Sequence, residues 1–270
     1  MILKRKIYKK LLEWKNECQG KKALLIEGAK RIGKSTICEE FGKNEYESYL
    51  LIDFAKKDKE VEMYFERYLN DLDTFFMLLQ THFGTKLTER NSLIIFDEVQ
   101  MFPQARAAIK YLVADGRYDY IETGSLISIR ENVKNIVIPS EERNINMYPL
   151  DFEEFAIALE EDLLVEYIKK CFEKREPLER SMHNQAMLLF HQYMLVGGMP
   201  MPVVAFIESK KDFTEADKEK RDILKLYRED IMKIDMRYRS KVLAIYDQIP
   251  GFLSQHEKRV VFKKLQDGSY

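Results

Sequence analysis

The sequence predicts an α/β protein in which a parallel sheet carries helices on both faces and a mostly helical second part follows. Two observations support this fold class. Between residues 23 and 150, β-rich apolar runs alternate with helix-compatible stretches, which is typical of a parallel sheet. From Asp151 onward the strand signal fades, and apolar residues recur at helical spacing. We therefore place the boundary between the two parts at Pro149 and Leu150.

Strands and helices alternate in the predicted first part. The strand candidates are Ala23–Glu27, Ser48–Phe54, Ser92–Asp97, Tyr118–Thr123 and Asn144–Tyr148. The helix candidates that separate them are Ser35–Phe41, Val61–Phe83 and Pro103–Asp115. The run Leu93–Phe96 is continuously apolar, as expected of a parallel strand that is buried on both faces.

Helices alone are predicted in the second part. The candidates are Asp151–Glu161, Leu163–Glu173, Met182–Val196, Asp217–Met236 and Ser240–Ile249. Gly197 and Gly198 are a typical end for the third of these, and Pro200 and Pro202 keep the chain from continuing it. The chain is thus divided into a helical leader (1–22), an α/β domain (23–150) and a helical lobe (151–270).

Composition and charge narrow the class of protein. Hydrophobic residues make up 46% and charged residues 33% of the 270 residues, which is ordinary for a globular protein. The net charge of −1 gives no general attraction to nucleic acid or to an anionic membrane. The leader is basic, with eight Lys or Arg against two Glu. We interpret it as the solvated face of a short amphipathic helix whose Ile7, Leu11, Leu12 and Trp14 point inward, with nucleic-acid contact as the alternative.

Cysteine usage and hydropathy favour a cytoplasmic protein. Cys18, Cys38 and Cys171 form no C-x-x-C pair, so they indicate neither a metal nor a redox motif. No signal for export stands out near the start of the sequence. The most apolar later segment, Leu188–Ile207, contains two glycines and two prolines and would be a poor membrane span.

A glycine-rich loop after the first strand has the pattern G-x-x-x-x-G-K-[ST]. It consists of Gly28, Ala29, Lys30, Arg31, Ile32, Gly33, Lys34 and Ser35, and Thr36 follows it. Glycines let such a backbone curl so that its N–H groups face phosphate oxygens at the start of a helix. We expect Lys34 to reach the β- and γ-phosphates and the Ser35 hydroxyl to bind Mg²⁺. The predicted fold class is therefore a P-loop NTPase.

Two carboxylates end the strand candidate Ser92–Asp97. The carboxyl ends of parallel strands face the ligand, so Asp97 is expected beside the loop, where it can hold Mg²⁺ through water. Glu98 then stands where a carboxylate can polarise a water for attack on the γ-phosphate. The alternative is that the pair only ends a strand.

Weaker signals lie around the next two strands. Thr123 and Ser125 end the fourth strand and could sense the γ-phosphate, or they could belong to an ordinary turn. Arg143 precedes the fifth strand candidate and is a candidate for contacting the phosphates of its own or a neighbouring subunit. The histidines are scattered and are not expected to bind a metal; they are His82, His183, His191 and His256.

These motifs resemble prokaryotic ATPases of the AAA+ superfamily that have an AAA-type N-terminal domain and an uncharacterised C-terminal domain. The matching pieces are Arg5, Gly28–Ser35, Phe96–Gln100, Thr123–Ser125, Tyr148–Phe155, Gly197–Pro200 and Ile249–Ser254. The resemblance implies an AAA+-like core with a helical lid, ATP and Mg²⁺ as ligands, and Gln100 near the catalytic pair. It also favours Arg143, although Glu142 stands where glycine is expected. Members usually continue into winged-helix-like and nuclease-related segments, and this sequence stops within that continuation.

The first functional hypothesis is an ATPase that converts ATP to ADP and moves the helical lobe against the sheet domain. A nucleotide-gated binding module with little turnover is the main alternative, with a protein or DNA as partner. A small-molecule kinase is a further alternative, although a water-activating Glu98 would not serve it. Oligomerisation is compatible with all three, and a membrane partner is not expected.

Overall fold

A computed structural model describes residues 1–125 and 140–254 of the chain. In these ranges the strands form one parallel sheet with the order β2-β3-β4-β1-β5. Their bounds are β1 Ala23–Glu27, β2 Ser48–Asp53, β3 Ser92–Asp97, β4 Asp119–Gly124 and β5 Glu142–Asn146. The predicted α/β fold class is confirmed. His256 and the rest of the predicted lobe beyond residue 254 lie outside the described residues.

Helices cover both faces of the sheet. One face carries α1 (Ile7–Cys18) and α2 (Lys34–Glu45), and the other carries α3 (Lys59–Arg67), α4 (Leu72–Phe83) and α5 (Pro103–Asp115). On α1, the residues that pack against the sheet recur at helical spacing, as the amphipathic pattern of the leader predicts. They are Ile7, Leu11, Trp14 and Cys18, and Leu12 is partly buried beside them.

The prediction of one long helix over Val61–Phe83 is wrong. The chain turns after Arg67, and α4 begins only at Leu72. Asp71 ends the turn by accepting a hydrogen bond from the Thr74 N–H at 3.2 Å. Aspartate at this position satisfies a free N–H group of the new helix, so it favours a start over a continuation.

The second part is helical, with its own core. Its helices are α6 Phe152–Ala158, α7 Asp162–Lys174, α8 Arg180–Val196, α9 Pro200–Glu208, α10 Phe213–Met232 and α11 Met236–Ser254. Phe155, Leu189 and Phe206 lie in its core, and Leu3 from the leader joins them. Among the described helices, none combines the length and the hydropathy that a membrane span requires.

Helix α9 was not predicted. Pro200 and Pro202 were expected only to stop the preceding helix, which does end at Val196. In the structure Pro200 occupies the first helical position, where the missing N–H is not needed and the fixed φ suits the helix. The same proline therefore prevents one helix from continuing and begins the next.

A buried charge cluster lies between α5 and the sheet. Arg106 donates from Nε and Nη2 to the Glu142 carboxylate at 3.0 and 2.8 Å. Glu142, at the position where glycine was expected, thus neutralises a buried guanidinium. Glu122 on β4 is fully buried nearby, and its carboxyl oxygens have no hydrogen-bond partner among the described residues. Burial, and then the Glu142 charge, raise the pKa of Glu122 well above its ordinary value.

We expect the Glu122→Gln variant to be more stable than the wild type at neutral pH. The folded protein keeps the Glu122 proton that the unfolded chain releases above its ordinary pKa. Wild-type stability from this group is therefore complete below that pKa and is lost as pH rises toward the raised pKa. Glutamine does not titrate, so the stability difference should grow by up to about 1.4 kcal/mol per pH unit.

Urea unfolding of both proteins from pH 4.5 to pH 8 measures this difference. The Glu142→Gln variant is the control, because it removes the carboxylate to which Arg106 donates and should be less stable than the wild type at low pH, where Glu122 keeps its proton. Parallel pH profiles for the wild type and Glu122→Gln would show that the Glu122 proton is not held as inferred.

Candidate functional site

The glycine-rich loop connects β1 to α2 at the carboxyl edge of the sheet. A Cβ atom at Gly28 would lie 2.4 Å from the Met147 carbonyl oxygen and 2.5 Å from the Ile32 Cδ1 atom. Gly33 has a φ of 89°, in the left-handed region that favours glycine, and it precedes the first residue of α2. Both glycines are therefore required by the backbone of this loop.

The loop leaves its backbone donors unused. Within the described part of the chain, the N–H groups of residues 29–33 donate to no protein acceptor. They lie at the N-terminus of α2, whose dipole favours negative charge. Ala29, at the start of this stretch, and Thr36, in the first turn of α2, are exposed to solvent. The loop has the donors and the field that a phosphate group requires.

Lys34 lies inside the loop rather than in solvent. It is 5% exposed, and Nζ donates to the carbonyl oxygens of Gly28 and Ala29 at 3.2 and 2.9 Å. Burial lowers the pKa of Lys34, and the charges of Glu98 and Asp97 oppose this change. A phosphate oxygen would take the place of these two carbonyl groups as the partner of the ammonium.

Ser35 and Asp97 meet at the end of the loop. Ser35 Oγ lies 2.8 Å from Oδ1 and 2.7 Å from Oδ2 of the Asp97 carboxylate. They come from separate elements: Asp97 ends β3, and Ser35 lies in the first turn of α2. β4 separates β3 from β1, so the contact arises because α2 packs across this face. A hydroxyl and a carboxylate beside a phosphate cradle are a suitable oxygen set for Mg²⁺.

Thr123 connects β4 to the two acidic residues. Its hydroxyl donates to Asp97 Oδ1, and its Oγ1 accepts from the Glu98 N–H at 3.3 Å. Glu98 has a φ of 53°, an uncommon left-handed conformation that is often found at functional sites. Gln100 is buried and donates from Nε2 to Glu98 Oε2. Ser125 is buried just after the end of β4.

Arg143 is not brought to the loop of its own chain. It lies within β5, not before it, and its partner in the sheet register is Leu24. Leu24 is three residues before Glu27, or about 10 Å along the strand from the edge that carries the loop. Arg143 is half-exposed there and pairs with Glu17 at 2.7 Å.

Three contacts to the loop were not foreseen as parts of the site. Arg5 donates from Nη1 to the Ile32 carbonyl oxygen at 2.9 Å. In the sequence, Arg5 stands out only as one of the residues that match the resembled family. Tyr227 on α10 donates its hydroxyl to the Lys30 carbonyl oxygen at 2.9 Å. Asp230 pairs with Lys30 Nζ at 2.8 Å. Nothing in the local sequence marks Tyr227 or Asp230.

Comparison with solved structures gives matches at low identity. PCH-2 from C. elegans is 10% identical with a TM-score of 0.41, and the match covers 81% of this chain and 69% of that one. The ORC1 protein of Aeropyrum pernix, in complex with DNA, is 9% identical with a TM-score of 0.40 and coverages of 98% and 82%.

A third similar structure is a signal transduction ATPase with numerous domains and a tetratricopeptide repeat sensor from Pyrococcus horikoshii. It is 17% identical with a TM-score of 0.42, and the match covers 98% of this chain and 38% of that one. A search of curated proteins gave no match.

A family model described as an AAA domain matches residues 20–156, just over half of the chain. The matched range contains the glycine-rich loop, Asp97, Glu98 and Thr123. This match indicates a function of the nucleotide-binding ATPase type. The chain belongs to the AAA domain family.

Proposed function

We propose that this protein binds ATP with Mg²⁺, hydrolyses it to ADP, and uses the cycle to move the helical lobe against the sheet domain. The observation that carries the proposal is the row of unused N–H groups in residues 29–33, directly beside the contact between Ser35 and Asp97. Free donors next to a hydroxyl–carboxylate pair match the two chemical needs of a magnesium nucleotide, which are anion binding and cation binding.

Residues 28–36 bind the phosphates in this proposal. The loop amides donate to phosphate oxygens, and Lys34 exchanges its two carbonyl partners for the β- and γ-phosphates. Ser35 and Asp97 would hold Mg²⁺, which supplies positive charge to the phosphate groups when it is bound. Thr123 keeps the Asp97 carboxylate oriented toward Ser35.

Hydrolysis is assigned to Glu98. Its carboxylate orients a water molecule for in-line attack and accepts the proton that the water loses. Gln100 holds this carboxylate in place through Oε2. For Arg143 we keep only the second predicted role, a contact with the phosphates of a neighbouring subunit. Within one chain, Arg143 lies near the amino end of β5, and the glycine-rich loop lies at the opposite, carboxyl ends of the strands.

The alternative is a nucleotide-gated module that binds ATP and turns it over very slowly. One observation favours it: Gln100 already occupies an oxygen of Glu98 that a water would otherwise use. In this form ATP would set the position of the helical lobe, and a partner, either protein or DNA, would read that position. A kinase reaction has no comparable observation in its favour.

The Glu98→Gln variant separates binding from hydrolysis. We expect it to bind ATP with an affinity close to that of the wild type, because Glu98 makes no contact with the loop amides. Turnover should fall by about 10²- to 10⁴-fold, since the variant cannot accept a proton. Phosphate release and nucleotide binding are to be measured in parallel. Equal loss of both would remove Glu98 from its assigned role, and binding without turnover in the wild type would favour the gated module.

The Ser35→Ala variant tests the magnesium site. In the wild type, Mg²⁺ should tighten ATP binding, and the variant should lose most of this gain, at least about tenfold. Affinity without Mg²⁺ should change by less than about threefold, because the loop amides remain. Titrations with and without Mg²⁺ give both numbers. Thr81→Ala, which removes an exposed helical hydroxyl on α4, is the matched control. An undiminished magnesium effect in Ser35→Ala would place the ion elsewhere.

A further inference from the structure

Two carbonyl groups of the glycine-rich loop are held from outside by distant parts of the chain. The Tyr227 hydroxyl on α10 donates to the carbonyl oxygen of Lys30 at 2.9 Å. The Arg5 guanidinium, just before α1, donates to the carbonyl oxygen of Ile32 at 2.9 Å. The orientation of the loop backbone therefore depends on the helical lobe and on the leader, and not on the loop sequence alone.

These two bonds also fix the direction of two N–H groups. A trans peptide is planar, and its C=O and N–H bonds point in opposite directions. Because the Lys30 carbonyl points toward α10, the Arg31 N–H points away from it. Because the Ile32 carbonyl points toward Arg5, the Gly33 N–H points away from that side chain. Both N–H groups belong to the stretch 29–33, which donates to no acceptor in the described residues.

Arg5 is itself held rigidly at the junction between sheet domain and helical lobe. Its side chain is 6% exposed, with Nε bound to Glu154 Oε1 at 3.2 Å and Nη2 to the Tyr148 carbonyl oxygen at 2.5 Å. Glu154 also accepts hydrogen bonds from the backbone N–H groups of Lys6 and Asp151, at 2.6 and 3.2 Å. The guanidinium thus presents Nη1 to the loop from a fixed position.

Tyr227 reaches the loop from a second fixed position. The neighbouring ion pair between Asp230 and Lys30 Nζ, at 2.8 Å, holds the same part of α10 against the loop. Burial raises the pKa of Tyr227, so its hydroxyl stays protonated and remains a donor. Phenylalanine at this position would keep the ring and lose only the bond to the Lys30 carbonyl.

We propose that Arg5 and Tyr227 are positioning residues that aim the Gly33 and Arg31 N–H groups into the phosphate site before the nucleotide arrives. The inference rests on the proposed function, because it concerns the same loop and the same ligand. Neither side chain touches the phosphates; each acts by holding a carbonyl on the outer side of the loop. Losing either bond frees that peptide to rotate, and part of the binding energy is then spent on fixing it again.

The Tyr227→Phe variant tests this role without disturbing packing. We expect the dissociation constants of ATP and of inorganic tripolyphosphate to rise by the same factor, about five- to tenfold, because the phosphate contacts alone are affected. The melting temperature without ligand should fall no further than that of the Tyr246→Phe variant, which also loses one hydrogen bond. Tyr246→Phe is the matched control. Tyr246 lies on α11, and its hydroxyl donates to the carbonyl oxygen of Leu224 on α10 at 3.3 Å, away from the loop. That variant should bind both ligands like the wild type.

A second variant, Arg5→Lys, keeps the charge but carries its donors on one compact ammonium group. That group cannot reproduce the spread of the guanidinium nitrogens over Ile32, Tyr148 and Glu154. It should weaken tripolyphosphate binding at least as much as Tyr227→Phe does. Unchanged affinity in Tyr227→Phe, an equal loss of affinity in Tyr246→Phe, or a melting temperature of Tyr227→Phe well below that of Tyr246→Phe would each overturn the inference and leave the proposed function intact. If the wild type bound neither ATP nor tripolyphosphate, the proposed function would fail, and this inference with it.

Discussion

The site depends on one constraint, which is that a short stretch of backbone must keep its N–H groups free of protein acceptors. Free backbone donors are costly wherever water cannot reach them, and most segments satisfy them within a helix or a sheet. Here the chain avoids both between β1 and α2. Gly28 lets the loop pass close to the Met147 carbonyl, Gly33 supplies a left-handed turn, and Lys34 bonds to loop carbonyls from within. The unusual residues of the loop are those that keep the donors available.

The alternation of side chains along the strands decides what else reaches this loop. On β3, Ile95 and Asp97 face α2, whereas Phe96 faces α3, α4 and α5. On β4, Ile121 and Thr123 lie on the α2 face, and Glu122 lies on the opposite face beside Arg106. Two neighbouring residues of β4 therefore belong to different clusters: Thr123 is bonded to Asp97, and Glu122 is buried beside Arg106. A register shift of one position would exchange the two.

Local sequence was sufficient where the chemistry is local. Gly28–Ser35 and Asp97 could be found because their spacing reflects a backbone shape and a strand end. Where tertiary structure decides, the sequence was insufficient: Arg143 follows the β1–β5 register, and Tyr227 is brought to Lys30 across 197 positions of sequence by the packing of α10. The break within Val61–Phe83 and the helix start at Pro200 were missed by the sequence prediction for a different reason. Apolar periodicity continues through a turn, so only the N-cap Asp71 and the first helical residue Pro200 mark where the new helices start.

In the proposed function, the charges around the loop would link nucleotide binding to the position of the helical lobe. Inside the loop Lys34 is bound to carbonyl groups, and outside it Lys30 is bound to Asp230 of α10. An incoming triphosphate attracts both ammonium groups and repels the Asp230 carboxylate, so it weakens one of the contacts that hold α10 in place. Thermodynamic linkage makes the effect reciprocal. If the lobe is held more tightly through Lys30, the loop must bind the nucleotide less tightly. The Tyr227 bond acts in the opposite direction, because it favours both the docked lobe and the oriented peptide. Under that proposal, the balance between these two contacts on α10 would set how far a nucleotide moves the lobe.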